Sequence, residues 1–217
     1  MGLGAESVGR FAVYQNGRIY LSEDFGDLTE NANFSRFKKS LTLFIKKRQP
    51  EVILTDLHPL YQPTIYGQQL AKRLKIPVIK IQHHLAHIFA SFGEYVLTSP
   101  QKPSRFIGVA CDGTGYGLDR NIWGGEIFQV SLKNKVIKRA GHLENQLMPG
   151  GDLAVREPAR MLLSILTKSG ICKETIWSLF KKFYTKNEFE VIYNQIKQNV
   201  KINLQKKYPG RQKIKSG

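Results

Sequence analysis

At 217 residues, 41% of them hydrophobic, the chain is long enough to bury a real core as one domain or two small lobes, which excludes a wholly disordered polypeptide. A net charge of +16 and a pI near 9.9 favour contact with nucleic acid, acidic protein surfaces or polyanionic nucleotides, and single out none of them. Two cysteines, Cys111 and Cys172, are too few for a disulfide framework or a thiolate metal site, so a reducing, cytoplasmic setting is expected.

Met1 to Phe11 carries no basic stretch followed by an apolar run, and no segment approaches the roughly 20 apolar residues that cross a bilayer, so neither a secretory leader nor a membrane span is expected. Arg10–Tyr14 and Arg18–Leu21 read as strands of a hairpin turning at Gln15-Asn16-Gly17. Over Glu30–Lys47 the apolar residues Phe34, Phe37, Leu41, Phe44 and Ile45 recur at three and four, the mark of an amphipathic helix that Pro50 closes. Val52-Ile53-Leu54 and Pro77–Ile81 read as buried strands flanking a helix over Ile65–Leu74, a βαβ rhythm that implies a parallel sheet.

His83–Val96 then reads as helical, and Phe106–Cys111 as a strand running into a glycine-rich turn. A second hairpin is expected over Glu126–Leu132 and Val136–Ala140, turning at Lys133-Asn134-Lys135. Ala154–Thr167 reads as one helix with Pro158 in its first turns, and Trp177–Val200 as a surface helical insert. From Lys201 onward the residues are basic and polar with hardly any apolar period, so residues 201–217 are expected to form a loose, solvated tail that accounts for part of the charge. The element order suits an α/β lobe with a mixed sheet flanked by helices.

Three constellations carry chemistry. In Gln82-His83-His84-Leu85-Ala86-His87 the imidazoles of His83 and His87 sit four apart on one helix face, just after a strand. Such a pair grips a divalent metal or serves a purely structural role, and the spacing alone leaves both open. In Asp112-Gly113-Thr114-Gly115-Tyr116-Gly117 the glycines admit backbone N–H groups close to a phosphate while the acid stands at a strand end, although a plain tight turn has the same composition. The spacing is not that of a dinucleotide-binding loop, and Gly4–Arg10 has Arg10 where a P-loop needs lysine. In Met148-Pro149-Gly150-Gly151-Asp152, Gly150 and Gly151 precede a helix start, and Arg156 and Arg160 follow four apart on one face, a pattern open to anion binding or to an N-capping Asp152 with surface arginines.

Taken in order, T-D-L-H-P at Thr55–Pro59, Q-H-H-L-A-H at Gln82–His87, A-C-D-G-T-G-Y-G at Ala110–Gly117, N-I-W-G-G-E at Asn121–Glu126, M-P-G-G-D at Met148–Asp152 and R-E-P-A-R-M at Arg156–Met161 resemble the C-terminal, Kae-type carbamoyltransferase domain of the HypF family over roughly Gly4–Leu166. The antibiotic carbamoyltransferase TobZ and the tRNA threonylcarbamoyltransferases share that core. The resemblance implies an actin-like, sugar-kinase-like (ASKHA) duplicated architecture. Residues 1–167 would be its first lobe, residues 168–200 a helical insert and residues 201–217 the tail.

The resemblance also implies an activity. HypF proteins make carbamoyl adenylate from carbamoyl phosphate and ATP, then transfer the carbamoyl group to the C-terminal cysteine of HypE, towards the cyanide ligands of nickel–iron hydrogenases. His83, His87 and Asp112 would bind a divalent metal (zinc, iron or magnesium), with Asp112 also the catalytic residue. Gly113, Thr114, Gly115, Tyr116, Gly117, Gly150, Gly151 and Asp152 would line the nucleotide, and Arg156 and Arg160 would bind substrate. The expected partners are a HypE-like acceptor and a polypeptide carrying the second lobe, with no membrane and no nucleic acid.

Departures from the family pattern are equally specific. No acylphosphatase-like, zinc-finger or adenylating module is visible, Val8-Gly9-Arg10 stands where a lysine and an asparagine are expected, and the later G-R-L-F-D helix and second glycine loop are missing. The expectation is a chain that ends within the domain, through a frameshift, a split gene or a truncation, and is inactive alone. A tRNA-modifying enzyme or a non-catalytic nucleotide- or protein-binding remnant are the competing functions.

Overall fold

The structure is a computed structural model that describes residues 1–151 and 153–198. The tail expected at 201–217, the end of the expected insert and Asp152 lie outside the described residues. Two compact units divide between Leu143 and Glu144.

The first unit is built on a mixed five-stranded sheet. Strand β1 (Gly2–Leu3) pairs antiparallel with β2 (Phe11–Gln15), which forms a hairpin with β3 (Arg18–Leu21). Asn16 and Gly17 turn that hairpin with φ of 52° and 74°, the left-handed pair that an Asn-Gly turn adopts at low cost. On its other side β1 pairs parallel with β4 (Ile53–Asp56), and β4 pairs parallel with β5 (Val78–Ile81), giving the order β3-β2-β1-β4-β5. Helix α1 (Asn31–Lys47) lays Phe37, Leu41 and Ile45 into a core shared with Phe11, Phe25, Leu28 and Ile53. Helix α2 (Gln62–Leu74) crosses from β4 to β5. Its Gly67 lies so close to the sheet that a Cβ there would stand 2.6 Å from Thr55 Cγ2.

Strand β5 is less buried than its apolar sequence implies. Val78 and Ile79 are exposed because, among the described residues, β5 is the sheet's edge strand, paired with β4 alone. Helix α3 (His83–Thr98) then leads to β6 (Arg105–Ala110), which pairs antiparallel with β9 (Glu126–Ser131), itself paired with β10 (Val136–His142). Between β6 and β9 the chain forms a miniature hairpin, β7 (Gly115–Tyr116) and β8 (Ile122–Trp123). The single mixed sheet expected over 1–167 is therefore three sheets. The ladder β6-β9-β10 closes locally, since β6 is in register from Arg105↔Ser131 to Ala110↔Glu126. Its order, β10-β9-β6, repeats that of β3-β2-β1: a strand, then an antiparallel hairpin on one side.

The second unit is helical. The helix expected over Ala154–Thr167 is broken into α4 (Leu153–Arg156) and α5 (Pro158–Lys168). Pro158 lacks an N–H and disfavours helical geometry in the residue before it, and Glu157 sits at φ −119°, ψ 80°. The helix expected over Trp177–Val200 is likewise two, α6 (Lys173–Phe180) and α7 (Lys186–Lys197). A capping box starts α7, in which Thr185 and Glu188 exchange hydrogen bonds. These helices are not a surface decoration: Leu163 of α5, Ile176 and Phe180 of α6 and Phe189, Ile192 and Ile196 of α7 form a core of their own.

Candidate metal centre

The carboxyl ends of three strands converge in the first unit. Strand β4 ends in Asp56, β5 is followed by Gln82 and His83 at the start of α3, and β6 is followed by Cys111 and Asp112. The parallel register Asp56↔Ile81 places the carboxylate two residues from His83 across the ladder. Strand ends of this kind collect ligands in open α/β sheets because helix N-termini and loop side chains face the same crevice there.

His83 is the hub. Its Nδ1 lies 2.7 Å from Asp56 Oδ2, and its Nε2 lies 3.1 Å from Asp112 Oδ2 and 3.2 Å from His87 Nε2. Asp56 is nearly buried and accepts a second hydrogen bond, 2.7 Å from the backbone N–H of His58 to its Oδ1, so its carboxylate is fixed on both oxygens. A carboxylate at Nδ1 holds the N–H there and leaves the Nε2 lone pair facing His87 and Asp112. The hydrogen bond that His83 donates to Asp56 is the main reason that the His83 pKa is raised above its ordinary value, outweighing burial.

One donor atom from each of His83, His87 and Asp112 lies within 4.8 Å of the others. Metal–ligand bonds of about 2.0–2.2 Å place neighbouring donors roughly 3–3.5 Å apart, so small side-chain adjustments bring these three onto one ion. Asp112 Oδ2 is buried, and with the His83 proton held on Nδ1 the nearest ring nitrogen, His83 Nε2 at 3.1 Å, faces it without a proton to donate, so among the described residues the oxygen is free to act as a ligand. The donor set fits a divalent metal, and two imidazoles with one carboxylate favour zinc or iron over magnesium.

The glycine loop packs around this cluster. A Cβ on Gly115 would stand 2.6 Å from His84 Cε1 and 2.9 Å from His83 Cβ, so the glycine is required for the loop to lie on the histidines. A Cβ on Gly117 would collide with the Trp123 ring, whereas one on Gly113 would meet nothing within 4 Å. Gly115 and Gly117 thus have packing reasons of their own, and Gly113 faces open space beside Thr114. Tyr116 stands edge-on to His58 at 5.1 Å, and His58 stacks on Tyr61 at 4.0 Å. Burial lowers the His58 pKa, so the ring in this aromatic nest is neutral near pH 7.

Gly150, Gly151, Arg156 and Arg160 belong to the second unit. Gly150 and Gly151 have φ of 85° and 61°, a turn that only glycine makes without strain, but the helix that follows spans just four residues. The break at Glu157 removes the continuous helix face on which Arg156 and Arg160 were expected to lie side by side. Arg156 is exposed, and Arg160 Nε donates to Glu157 Oε2 at 2.6 Å.

Three residues of the cluster had no role in the sequence reading. Asp56 lies in the T-D-L-H-P run, and its position at the end of a strand next to the one preceding the histidines was the available signal. Gln82 and His84 gave none, because their roles depend on which way their rings and amides point. The N-I-W-G-G-E run proves structural: buried Glu126 pairs with Arg139, whose Nη2 lies 2.7 Å from Glu126 Oε1 and whose guanidinium stacks 3.8 Å over Trp123. Trp123 Nε1 in turn donates to Asp119 Oδ1 at 2.8 Å.

Comparison with known proteins places this geometry in a family. Residues 1–94 match the family described as "HypF Kae1-like domain", and residues 108–207 match "Carbamoyltransferase, Kae1-like Domain, second subdomain". The probable carbamoyltransferase HypF of Methanocaldococcus jannaschii is 30% identical over 203 residues, covering 91% of this chain and 25% of that protein. A carbamoyltransferase HypF homolog of Cupriavidus necator is 37% identical over 163 residues, 73% of this chain and 40% of that protein. Among solved structures, full-length HypF in a phosphate- and nucleotide-bound form superposes with a TM-score of 0.75 at 28% identity, over 92% of this chain and 25% of that one. T. kodakarensis HypF gives 0.73 at 30% identity, over 92% and 27%. The chain thus spans a quarter to two fifths of the length of these relatives. The mixed α/β fold is that of the HypF Kae1-like domain, and the chain belongs to the HypF family of carbamoyltransferases.

Proposed function

We propose that this chain forms part of the carbamoyl-transfer site of a HypF-type enzyme, in which His83, His87 and Asp112 hold a divalent metal beside a nucleotide. The observation that carries the reading is the convergence of those three donors, with His83 locked by Asp56, in a chain of this family. When bound, such a metal is a Lewis acid that offsets charge growing on the phosphate of carbamoyl adenylate as the carbamoyl carbon is attacked. His83 and His87 contribute neutral imidazole nitrogens, Asp112 contributes the anionic oxygen, and Asp56 keeps the His83 lone pair aimed at the site. The Gly117 N–H is spent on the Asn121 carbonyl oxygen at 2.9 Å, so the backbone N–H groups of Gly113 and Thr114 are the candidates for phosphate contact in this loop. The acceptor is the C-terminal cysteine thiol of a HypE-like protein, in the cytoplasm.

The architecture we infer is the duplicated actin-like one. The repeated order β3-β2-β1 and β10-β9-β6 supports it, with β6 opening a second lobe as β1 opens the first. This moves the lobe boundary forward from the expected residue 167, in line with the match of 108–207 to a second subdomain. Among the described residues β6 is an edge strand with Ile107 and Val109 exposed, so a complementary polypeptide has a strand edge to extend. Groups from both sides of a cleft are needed to preorganise transfer, and the chain by itself therefore binds but does not turn over. The test is to incubate the zinc-loaded chain with a fluorescent ATP analogue, and separately with carbamoyl adenylate and a peptide ending in cysteine. Nucleotide binding without peptide carbamoylation is expected. Absence of binding would contradict the nucleotide reading, and carbamoylation by the chain alone would contradict the proposal that it binds without turning over.

A further inference from the structure

His84 is the one histidine of the Q-H-H-L-A-H run to which the metal reading gives no task, and it is wholly buried. Its tautomer follows from its neighbours. The Gln82 side chain caps α3 by accepting the Leu85 N–H at 3.1 Å through Oε1, which turns its Nε2 amide group the other way. That amide lies 3.0 Å from His84 Nδ1 and 3.3 Å from the Tyr116 carbonyl oxygen, and an amide NH2 can only donate. His84 Nδ1 therefore accepts, and the ring proton of the neutral imidazole sits on Nε2. That Nε2–H has no partner among the described residues, and the atom it faces, Asp112 Oδ2 at 3.9 Å, is a buried acceptor whose nearer neighbour, His83 Nε2 at 3.1 Å, has no proton to donate while Asp56 holds the His83 proton on Nδ1.

A buried donor and a buried acceptor, each unpartnered and facing one another about an ångström beyond hydrogen-bonding distance, are a contact waiting to close. We propose that His84 is the positioning residue of Asp112: its Nε2–H bonds the Asp112 carboxylate when a cation draws that side chain into place, so that Gln82, His84 and Asp112 form a relay parallel to the pair Asp56 and His83. The inference rests on the metal reading of His83, His87 and Asp112. A ligating carboxylate free to swing is a poor ligand, and one held by a fixed N–H is not. The relay also explains why Gly115 must lack a side chain, since a Cβ there would press on His84 Cε1 and tilt the ring away from Asp112.

The experiment uses the 217-residue chain, labelled with 15N at histidine, and Zn²⁺ alone as the probe. In the metal-free chain the His84 ring should show the pattern of the Nε2–H tautomer, and on zinc addition that proton should move downfield and exchange more slowly. His84→Leu should weaken zinc affinity by about 10–100-fold, the range for loss of a supporting partner, while His84→Gln, whose amide nitrogen falls near the position of Nε2, should recover most of it. An Nδ1–H tautomer overturns the inference. So does zinc binding that is lost in His83→Ala but unchanged in His84→Leu, with no movement of the His84 proton; the metal reading then stands and the relay fails. A wild-type chain that takes up no zinc overturns the metal reading and the relay with it.

Discussion

His83 Nδ1 and Asp56 Oδ2 are 2.7 Å apart, and this pair decides which nitrogen of the central imidazole faces the candidate metal centre. An ionised carboxylate can only accept, so it keeps the proton on Nδ1. In Asp56→Asn the Oδ1 still accepts the His58 N–H, which turns the amide NH2 towards His83. The proton then moves to Nε2, where it blocks ligation. The substitution should reduce divalent-metal affinity by about 10–100-fold while leaving the circular dichroism spectrum unchanged, as read by isothermal titration.

Gly113 and Gly115 of the loop should behave differently from one another. Gly115→Ala inserts a Cβ 2.6 Å from a buried ring and should cost about 1–3 kcal/mol in urea denaturation, with a matching loss of metal affinity. Gly113→Ala meets nothing within 4 Å and should be nearly neutral in both measurements. Equal effects at the two positions would mean that the loop does not pack on the histidines as described.

Glu126 and Arg139 form the ion pair of the second sheet, with the Glu126 side chain almost wholly inaccessible. Removing one partner leaves a buried charge with no compensation, so Arg139→Met should destabilise the chain by about 3–5 kcal/mol. Glu126→Gln, Arg139→Met together should recover part of that loss. A double variant as unstable as the single one would argue that stacking on Trp123, rather than the charge pair, is the main contribution of Arg139.

Helix α7 carries an acid-sensitive start. The backbone N–H and hydroxyl of Thr185 hold the Glu188 carboxyl below its ordinary pKa of 4.5. A depressed folded value means that the stabilisation is fully present above the unfolded pKa and is lost as pH falls through the folded one. Carboxyl 13C titration should place the Glu188 midpoint below 4.5 in the wild-type chain and raise it part of the way back in Thr185→Ala, which removes the hydroxyl but keeps the backbone N–H.

Much of this was legible in the sequence, for identifiable reasons. Helix α1 and the first hairpin were clear because a three-four apolar period and an Asn-Gly turn are local signals. His83, His87 and Asp112 were legible as types and spacings, and the structure brings all three together. Asp56 was not, because its role depends on the parallel pairing of β4 and β5, a contact between distant segments. The break of the last helices was written in Thr185-x-x-Glu188 and in Glu157-Pro158, both of which yield to a continuous apolar pattern when period alone is weighed. The partition of strands into separate sheets was hidden because nothing local states whether β6 joins β5 or waits for β9.

The ability of His83, His87 and Asp112 to hold a metal is measured directly by metal content. Chain purified after incubation with excess zinc and gel filtration should retain close to one equivalent by mass spectrometry, and the His83→Ala, His87→Ala double variant should retain essentially none while keeping its fold. Equal zinc in the wild-type chain and the double variant would contradict the account, because the ion would then reside elsewhere on the molecule.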